Sequence, residues 1–283
     1  MEIFYSTIVF MYGLLLGSFF NVVGYRVPNN MSIVKPGSFC PKCKHELKWY
    51  ELIPVFSFLI QKGKCRKCGS KISLFYPFIE FTTGVLFLIA YLIFGFSFEF
   101  IMALLAISFF VIVIVCDISY LIIPDEITAF FCIASIGLQV SLKGFELALS
   151  SAFFGSILFF LMYFIMLLGS KIMNEEALGG GDVKLMFFVG TILNIVNPIE
   201  ILNITSYFSL INGFCELFLA SCLASPFAFY NFFSKKGRMI PFGPFILLAL
   251  IILYLYSFDF VEFFVRYLIL KLITFFLFFI CIL

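Results

Sequence analysis

The sequence predicts an all-α polytopic membrane protein with about eight transmembrane helices and a small cysteine-containing loop module. Of the 283 residues, 63% are hydrophobic and only 12% are charged, whereas soluble domains carry about 25% charged residues. Apolar runs that reach or approach the roughly 17–25 residues of a membrane crossing recur along the chain. A single long polar stretch separates the first run from the second and contains most of the basic residues.

The apolar runs give the number of predicted crossings. The first run, residues 3–24, has Glu2 in place of a basic head and lacks a small-residue cleavage pattern. We therefore expect an uncleaved anchor rather than a signal peptide. The other seven runs cover residues 78–95, 100–116, 127–142, 147–169, 183–194, 201–230 and 244–258. A ninth candidate, 265–283, is interrupted by Lys271 and either spans the membrane or lies along its interface.

The basic residues indicate which way the predicted helices run. Ten of the 18 Lys and Arg residues lie between Arg26 and Lys71. Eight alternating spans place five more, from Lys171 to Arg238, on the same face. The positive-inside rule makes that face cytoplasmic. The predicted organisation is a first helix (1–24), a cytoplasmic four-cysteine module (25–76), a membrane core (77–264) and a final segment (265–283).

Two Cys-x-x-Cys pairs in the loop module predict a structural metal site. Cys40 and Cys43 form the first pair, and Cys65 and Cys68 form the second. Four thiolates in two such pairs are typical of tetrahedral zinc. A loop of about 50 residues has a small hydrophobic core and therefore needs a stabilising cross-link such as a metal ion. The alternative is a pair of disulfides, which a cytoplasmic location disfavours because thiols there stay reduced. We expect one structural Zn²⁺ per chain.

Two other features of the loop module have more than one interpretation. His45 is the only histidine of the chain, but we expect it to stay outside a metal shell that four sulfurs already complete. The lysines indicate contact with either nucleic acid or anionic lipid. Juxtamembrane basic clusters usually face lipid, and the lysines lack interleaved aromatic residues. We therefore predict the lipid bilayer as a partner and no nucleic-acid partner.

Two aspartates stand at the ends of apolar runs, where a charge is costly. Asp117 follows the run Phe109 to Cys116, and Asp182 follows the glycine run 179–181. Carboxylates at membrane depth are functional candidates by default. With eight spans, both aspartates lie at the cytoplasmic end, so each is the natural partner of the other. The three glycines permit positive φ and close backbone approach, whereas the alternative is an ordinary helix N-cap after a flexible linker.

Paired carboxylates predict a particular chemistry. Two carboxylates held close cannot both ionise easily, so the pair shares a proton, activates a water and protonates a leaving amine. This is aspartic peptidase chemistry. The single histidine lies in the cysteine loop, which argues against Ser-His, Cys-His and metal-hydrolase sites. Helix direction favours a carboxylate at Asp182 and an acid at Asp117, so we expect Asp182 to activate the water.

Three further acidic residues are weaker candidates. Asp125 and Glu126 follow Pro124 and are expected to cap the fourth span. Glu80 lies inside an apolar run, where the expected explanation is a buried hydrogen bond and the alternative is a role in the site.

These residues together resemble the type IV prepilin peptidase family, the leader peptidases of pilins and pseudopilins. The resemblance extends in colinear order over roughly residues 13–245. Its motifs are the segment Gly17 to Pro28, the two cysteine pairs, Tyr76 to Glu80, Asp117 with Pro124 and Asp125, Gly179 to Lys184, and Ile240 to Pro244.

The resemblance implies cleavage of a short basic leader from prepilins, after a glycine, at the cytoplasmic face of the bacterial inner membrane. It implies catalytic roles for Asp117 and Asp182. It also implies supporting or substrate-binding roles for the residues Gly179, Gly180, Gly181, Lys184, Asp125 and Glu80. Many members then N-methylate the new terminus with S-adenosylmethionine. The chain contains no glycine-rich nucleotide motif, so the cofactor site is unassigned and a peptidase without methyltransferase activity is the alternative.

Two other classes of protein are alternatives to a peptidase. A proton-coupled transporter also places acids at membrane depth, but it favours internal repeats and broken helices near the midplane. A membrane scaffold that binds partners through its zinc module leaves both aspartates without a role.

Overall fold

The computed structural model describes residues 1–173, 178–196, 217, 219–224 and 242–256, and within these ranges the chain is all-helical, without a β-strand. Its α-helices are α1 (Glu2–Arg26), α2 (Phe56–Ile60), α3 (Phe75–Phe94), α4 (Phe98–Tyr120), α5 (Asp125–Lys143), α6 (Phe145–Met173), α7 (Gly180–Val196) and α8 (Gly243–Tyr256).

Five of the described helices are long and apolar enough to cross a membrane, namely α1, α3, α4, α5 and α6. They coincide with the first five predicted runs. The shorter helices α7 and α8 coincide with the runs at 183–194 and 244–258. Most of the run at 201–230 and all of 265–283 lie outside the described residues. A helical, multi-pass architecture is therefore confirmed, whereas the total of eight or nine crossings stays a prediction.

Local sequence signals account for the helix ends. Ser97 precedes α4, and its hydroxyl accepts a hydrogen bond from the Phe100 N–H at 3.1 Å, which satisfies one free donor of the first turn. At its other end α4 stops at Leu121, which has a left-handed φ of 55°. Asp125 and Glu126 lie in the first turn of α5 but make no side-chain cap there. The expectation that they cap this helix is therefore wrong, although their charges still suit its positive end.

Helix α4 occupies the centre of the bundle. It packs against α1, α3, α5, α7 and α8, and its apolar residues are mostly buried by protein rather than left for lipid. Phe109 is fully buried and stacks on Phe131 of α5, with ring centroids 4.8 Å apart. The same ring meets Phe188 of α7 edge to face at 4.7 Å. These contacts link α4 to two of the helices that surround it.

Small residues bring the outer helices close together. A Cβ atom on Gly190 of α7 would lie 2.5 Å from the Cα atom of Gly155 on α6, and one on Gly13 of α1 would lie 2.7 Å from the Cα atom of Gly84 on α3. Close packing of this kind drives helix association in membranes, because lipid tails are as apolar as the helix surfaces and the hydrophobic effect therefore does not bring helices together.

Buried polar side chains fix α7 against its neighbours. The Gln139 amide on α5 donates to the Thr191 carbonyl at 3.1 Å, and the Ser135 and Thr191 hydroxyls are 2.9 Å apart. The Asn194 amide donates to Ser150 and Ser151 of α6 at 3.0 and 2.9 Å. Such bonds set the rotation and height of a helix where apolar packing alone allows sliding.

The two ends of the bundle differ in charge. At one end, the Asn29 amide joins the end of α1 to the Tyr120 hydroxyl of α4 at 2.8 Å. The cysteine module and most described basic residues lie at this end. At the other end, Lys143 faces Glu99 at 3.5 Å. The separation agrees with the predicted sidedness, and assigning the basic end to the cytoplasm stays a prediction.

We predict different effects on stability for alanine at two helix-interior glycines. Gly190→Ala should lower the melting temperature of the purified protein in detergent, because its Cβ has no room against the Gly155 backbone and overpacking costs about 1–3 kcal/mol. Gly137→Ala is the matched control, since a Cβ there meets nothing within 4 Å. It should leave stability unchanged or raise it by about 0.5–1 kcal/mol. Equal effects at both positions would contradict the close contact.

Candidate active site and metal centre

The four predicted cysteine ligands come together in the structure. Cys40, Cys43, Cys65 and Cys68 form a group whose Sγ atoms all lie within 4.8 Å of one another. The Cys40–Cys68 and Cys43–Cys65 sulfur pairs are each 3.9 Å apart. A tetrahedral zinc with Zn–S bonds of about 2.3 Å requires sulfurs about 3.8 Å apart. The donor set therefore fits zinc in both chemistry and spacing.

Each cysteine pair lies on a tight turn of the same design. The Lys44 N–H donates to the Cys40 carbonyl at 2.9 Å, and the Gly69 N–H donates to the Cys65 carbonyl at 2.9 Å. Both turns need a left-handed residue after the second cysteine, with φ of 56° at Lys44 and 67° at Gly69. The two turns face each other, which lets a loop without strands bring four sulfurs to one point.

The cysteines cannot all ionise without a compensating cation. The Cys43 N–H lowers the pKa of the Cys40 thiol to about 6, and the Ser70 hydroxyl lowers the pKa of Cys68. At Cys43 the His45 N–H lowers the pKa, but removal from water and the three other sulfurs outweigh it and raise the pKa to about 11. A metal ion supplies the positive charge that four thiolates together require.

His45 stands outside the sulfur group, as expected. Its Nε2 atom lies 3.3 Å from the Glu51 carboxylate, which is almost fully buried. Glu51 also accepts a hydrogen bond from the Lys48 N–H at 2.9 Å. The Lys48 N–H and, less strongly, His45 hold the pKa of Glu51 below its usual value. The histidine thus stabilises the fold of the module.

Two buried polar groups attach the module to the membrane helices. Arg26, at the end of α1, donates to the Ser32 and Gly37 carbonyls at 2.9 and 3.0 Å. Glu80, on α3, accepts a hydrogen bond from the Val55 N–H at 2.7 Å. Glu80 therefore makes the buried hydrogen bond expected for it, and its contact is with the loop module.

Asp117 lies in the last turn of α4 and is only 5% exposed. The turn ends because Leu121 adopts the left-handed conformation and donates its N–H to the Asp117 carbonyl at 2.9 Å. The chain then runs through Ile123 to Pro124, where α5 is about to begin. A carboxylate in this position is shielded from lipid by the surrounding helices.

Asp182 lies in the first turn of α7 and interacts electrostatically with Asp117. The two predicted acids thus lie near each other at the basic end of the bundle. Asp182 is the third residue of α7 rather than its cap, and its N–H donates to the Gly179 carbonyl at 3.1 Å. The backbone N–H of Gly243, at the start of α8, faces its carboxylate. Two helix N-termini therefore converge on Asp182, and their positive ends partly offset the cost of burying its charge beside Asp117.

The glycine run contributes close approach rather than unusual φ angles. Glycine permits a positive φ, but none of residues 179–181 adopts one. Close approach is confirmed at Gly181, where a Cβ would lie 3.1 Å from the Cβ of Ile123. Gly180 faces open space.

The sequence alone does not predict a role for two residues that shape this site, Gly243 and Ile123. A Cβ on Gly243 would lie 2.8 Å from the Ile123 Cδ1 atom and 3.2 Å from the Asp182 carboxylate. Gly243 lies within the Ile240–Pro244 motif, which was a signal for it. Ile123 lacked a comparable signal, because its importance arises only from the meeting of α7 and α8 around it.

Lys184 and Asp125 form an ion pair at the edge of the site, with Nζ and Oδ1 2.6 Å apart. The pair joins the first turns of α7 and α5. Both side chains are substantially exposed, so the pair adds little to stability. Lys184 follows Asp182 by two residues, so the pair lies beside the N-terminal end of α7.

Comparisons with known proteins identify the family. Residues 11–94 match the bacterial peptidase A24 N-terminal domain, and residues 104–229 match the type IV leader peptidase family. A Bacillus subtilis prepilin leader peptidase/N-methyltransferase is 35% identical over 92% of this chain and 98% of its own length. The chain belongs to the type IV leader peptidase family. The first matched region contains the cysteine module, and the second contains Asp117 and Asp182.

Two further relatives carry the same name as the Bacillus subtilis protein. A Myxococcus xanthus prepilin leader peptidase/N-methyltransferase is 39% identical over 67% of this chain and 56% of its own length. A Vibrio cholerae protein of the same name is 29% identical over 90% of this chain and 98% of its own length. No solved structure matches the chain.

We predict about one zinc ion per chain in the purified protein, because the four sulfurs form a closed tetrahedral shell. Cys65→Ser should lose most of the metal, as measured by elemental analysis. Cys132→Ser, in α5 and away from the sulfur group, is the matched control and should keep it. A metal-free wild-type protein with two disulfides in the module would contradict the metal site.

Proposed function

We propose that this protein cleaves the basic leader peptide of type IV prepilins or pseudopilins with Asp117 and Asp182. The observation that carries the proposal is the meeting of these two acids at one end of the bundle, inside the region that matches the leader peptidase family. Named relatives that share nearly their full length with this chain are prepilin leader peptidases.

The proposed reaction needs only the two carboxyl groups and a water. One carboxylate takes a proton from the water as its oxygen attacks the carbonyl carbon of the scissile glycine. The other carboxyl then donates its proton to the leaving amide nitrogen, and the C–N bond breaks. The pair is suited to this because burial and mutual repulsion keep one proton shared between them. The convergence of two helix N-termini on Asp182 supports it as the group that activates the water.

The entry side is the second part of the proposal. The aspartates lie at the same end of the bundle as the described basic loop residues, and the positive-inside rule places such residues in the cytoplasm. We infer that the prepilin leader approaches from the cytoplasm, past the exposed Lys184–Asp125 pair, and that the open space beside Gly180 leaves room for its backbone.

The zinc module is proposed to organise the loop rather than take part in the cut. Four thiolate ligands leave zinc no open position for a water. The sulfur group lies on turns of its own, and side chains such as Arg26 and Glu80 link the module to the helices. Zinc, when bound, supplies cross-linking to a loop that has little hydrophobic core.

N-methylation of the new pilin terminus is the further activity implied by the names of the relatives. We propose it for this chain on that ground and on the presence of the cysteine module. The described residues contain no glycine-rich nucleotide loop that fits S-adenosylmethionine, so the site of that cofactor is unassigned. A peptidase without methyl transfer is the alternative, and assay of the cleaved terminus by mass spectrometry distinguishes the two.

A proton-coupled transporter is the alternative from another class. Its acids would be expected near the midplane, whereas Asp117 and Asp182 lie in the last and first turns of their helices. Incubation of purified protein with a prepilin separates the two classes, because only a peptidase removes the leader.

We predict that Asp117→Asn and Asp182→Asn each reduce leader cleavage by more than about a hundredfold, since a general acid–base group contributes roughly 10²–10⁴. Asparagine keeps the shape of the side chain but cannot exchange the proton. The measurement is conversion of a purified prepilin, followed by mass spectrometry.

The control is Glu126→Gln, which removes a carboxylate from the first turn of α5 at an exposed position. It should cleave within about twofold of the wild type, because surface charges of this kind contribute little. Near-normal cleavage by either aspartate variant in a folded, membrane-inserted protein would refute the paired mechanism.

We also predict that Gly243→Ala impairs cleavage while Gly137→Ala does not. The added methyl at position 243 would press on Ile123 and on the Asp182 carboxylate, whereas one at position 137, in α5, meets nothing within 4 Å. A displacement of about 1 Å at a reacting group can cost about a hundredfold in rate. Equal activity of the two variants would show that α8 does not set the position of Asp182.

A further inference from the structure

The loop module presents an exposed apolar surface that neither the sulfur group nor the aspartates use. It consists of Trp49, Phe56, Leu59 and Ile60, whose exposed fractions run from 51% to 78%; we call it the Trp49 patch. Phe56, Leu59 and Ile60 have the i, i+3, i+4 spacing that places side chains on one face of α2. The turn that contains Trp49 contacts α2, so Trp49 lies beside the helix that carries the other three side chains.

The attachment of the module fixes the position of this patch along the axis of the membrane helix α3. The Val55 N–H, next to α2, donates to the Glu80 carboxylate at 2.7 Å. Glu80 is five residues into α3, which corresponds to about 7.5 Å along the helix axis. Leu74 and Phe78, at the start of α3, are 71% and 63% exposed, so the apolar outer surface of the bundle begins there. The backbone beside the patch therefore lies level with the first turns of a membrane helix.

The residues beside the patch have the chemistry of a lipid headgroup contact. Lys48 precedes Trp49, and Lys62 and Lys64 follow α2; all three are exposed. Tryptophan is enriched where headgroups meet acyl chains, and lysines near that surface attract anionic lipids. An apolar face bordered by lysines is typical of helices that lie in the membrane interface.

We propose that the Trp49 patch inserts into the bilayer interface at the aspartate end of the bundle and holds the zinc module down on the membrane surface. The expected insertion is about 5–10 Å, as for other interfacial helices. This depth agrees with the height that the Val55–Glu80 bond imposes. The proposal goes beyond leader cleavage and does not depend on it. The prepilin and a second copy of this chain are the rival occupants of the patch.

Trp49 is the only tryptophan of the chain, so its fluorescence reports on the patch without labelling. The full-length protein is placed as single copies in nanodiscs of zwitterionic and anionic lipid, without substrate. Lipids brominated at different depths of the acyl chain serve as quenchers. We expect blue-shifted emission and about a twofold loss of intensity, strongest with bromine near the headgroup end, where indole rings reside.

Each other outcome overturns the proposal. Water-like emission without quenching means that the patch is free for another partner, and a blue shift that appears only on adding prepilin identifies that partner as the substrate. Blue-shifted emission that brominated lipid leaves unquenched means that protein covers the indole.

A pair of variants tests the apolar face itself. Leu59→Glu places a charge on the patch and should at least halve the quenching of Trp49. Gln61→Glu adds the same charge next to α2 but off the patch, and it should keep the wild-type quenching. Zinc content reports whether the module stays folded; if Leu59→Glu loses zinc, Leu59→Ser takes its place in the comparison. Equal quenching in wild type and in a zinc-loaded Leu59 variant would refute the insertion.

Discussion

A carboxylate in a bilayer must be shielded by protein, and the central position of α4 provides this shielding for Asp117. The helix is covered on several sides, so its last turn is enclosed even though it lies near an end of the bundle. The same enclosure allows a second acid, Asp182, to approach from α7. The small-residue contact between Gly155 and Gly190 and the polar bonds around Thr191 hold α7 in the position that this approach requires. If α4 were a peripheral helix, the two acids would be separated by lipid or exposed to it.

The sequence predicted those features whose signals are local. Apolar runs located the helices, and the spacing of the cysteine pairs predicted a group of four sulfurs, because each pair needs only a tight turn to form. The two aspartates stood out because a charge beside an apolar run is costly wherever the run packs.

Features that depend on distant segments were not predictable in the same way. The contact of Gly243 with Ile123 and Asp182 requires three helix ends to meet. Neither a glycine nor an isoleucine indicates such a contact by its residue type alone. The bond between Val55 and Glu80 joins residues whose separate patterns indicate only a loop and a buried acid. The sequence also does not indicate which of the backbone roles open to glycine the run 179–181 takes, and here Gly181 provides space for a neighbouring side chain.

The attachments of the loop module divide the molecule into two mechanical parts. Helices α1 and α3 touch along glycine contacts, and Arg26 and Glu80 fasten the module between them. Helices α5, α6 and α7 form the other part, cross-linked by their own polar bonds. Helix α4 lies between the two parts and contacts both. It carries Asp117, whereas α7 of the second part carries Asp182. The gap between the two carboxyl groups is therefore set by how the second part packs against α4.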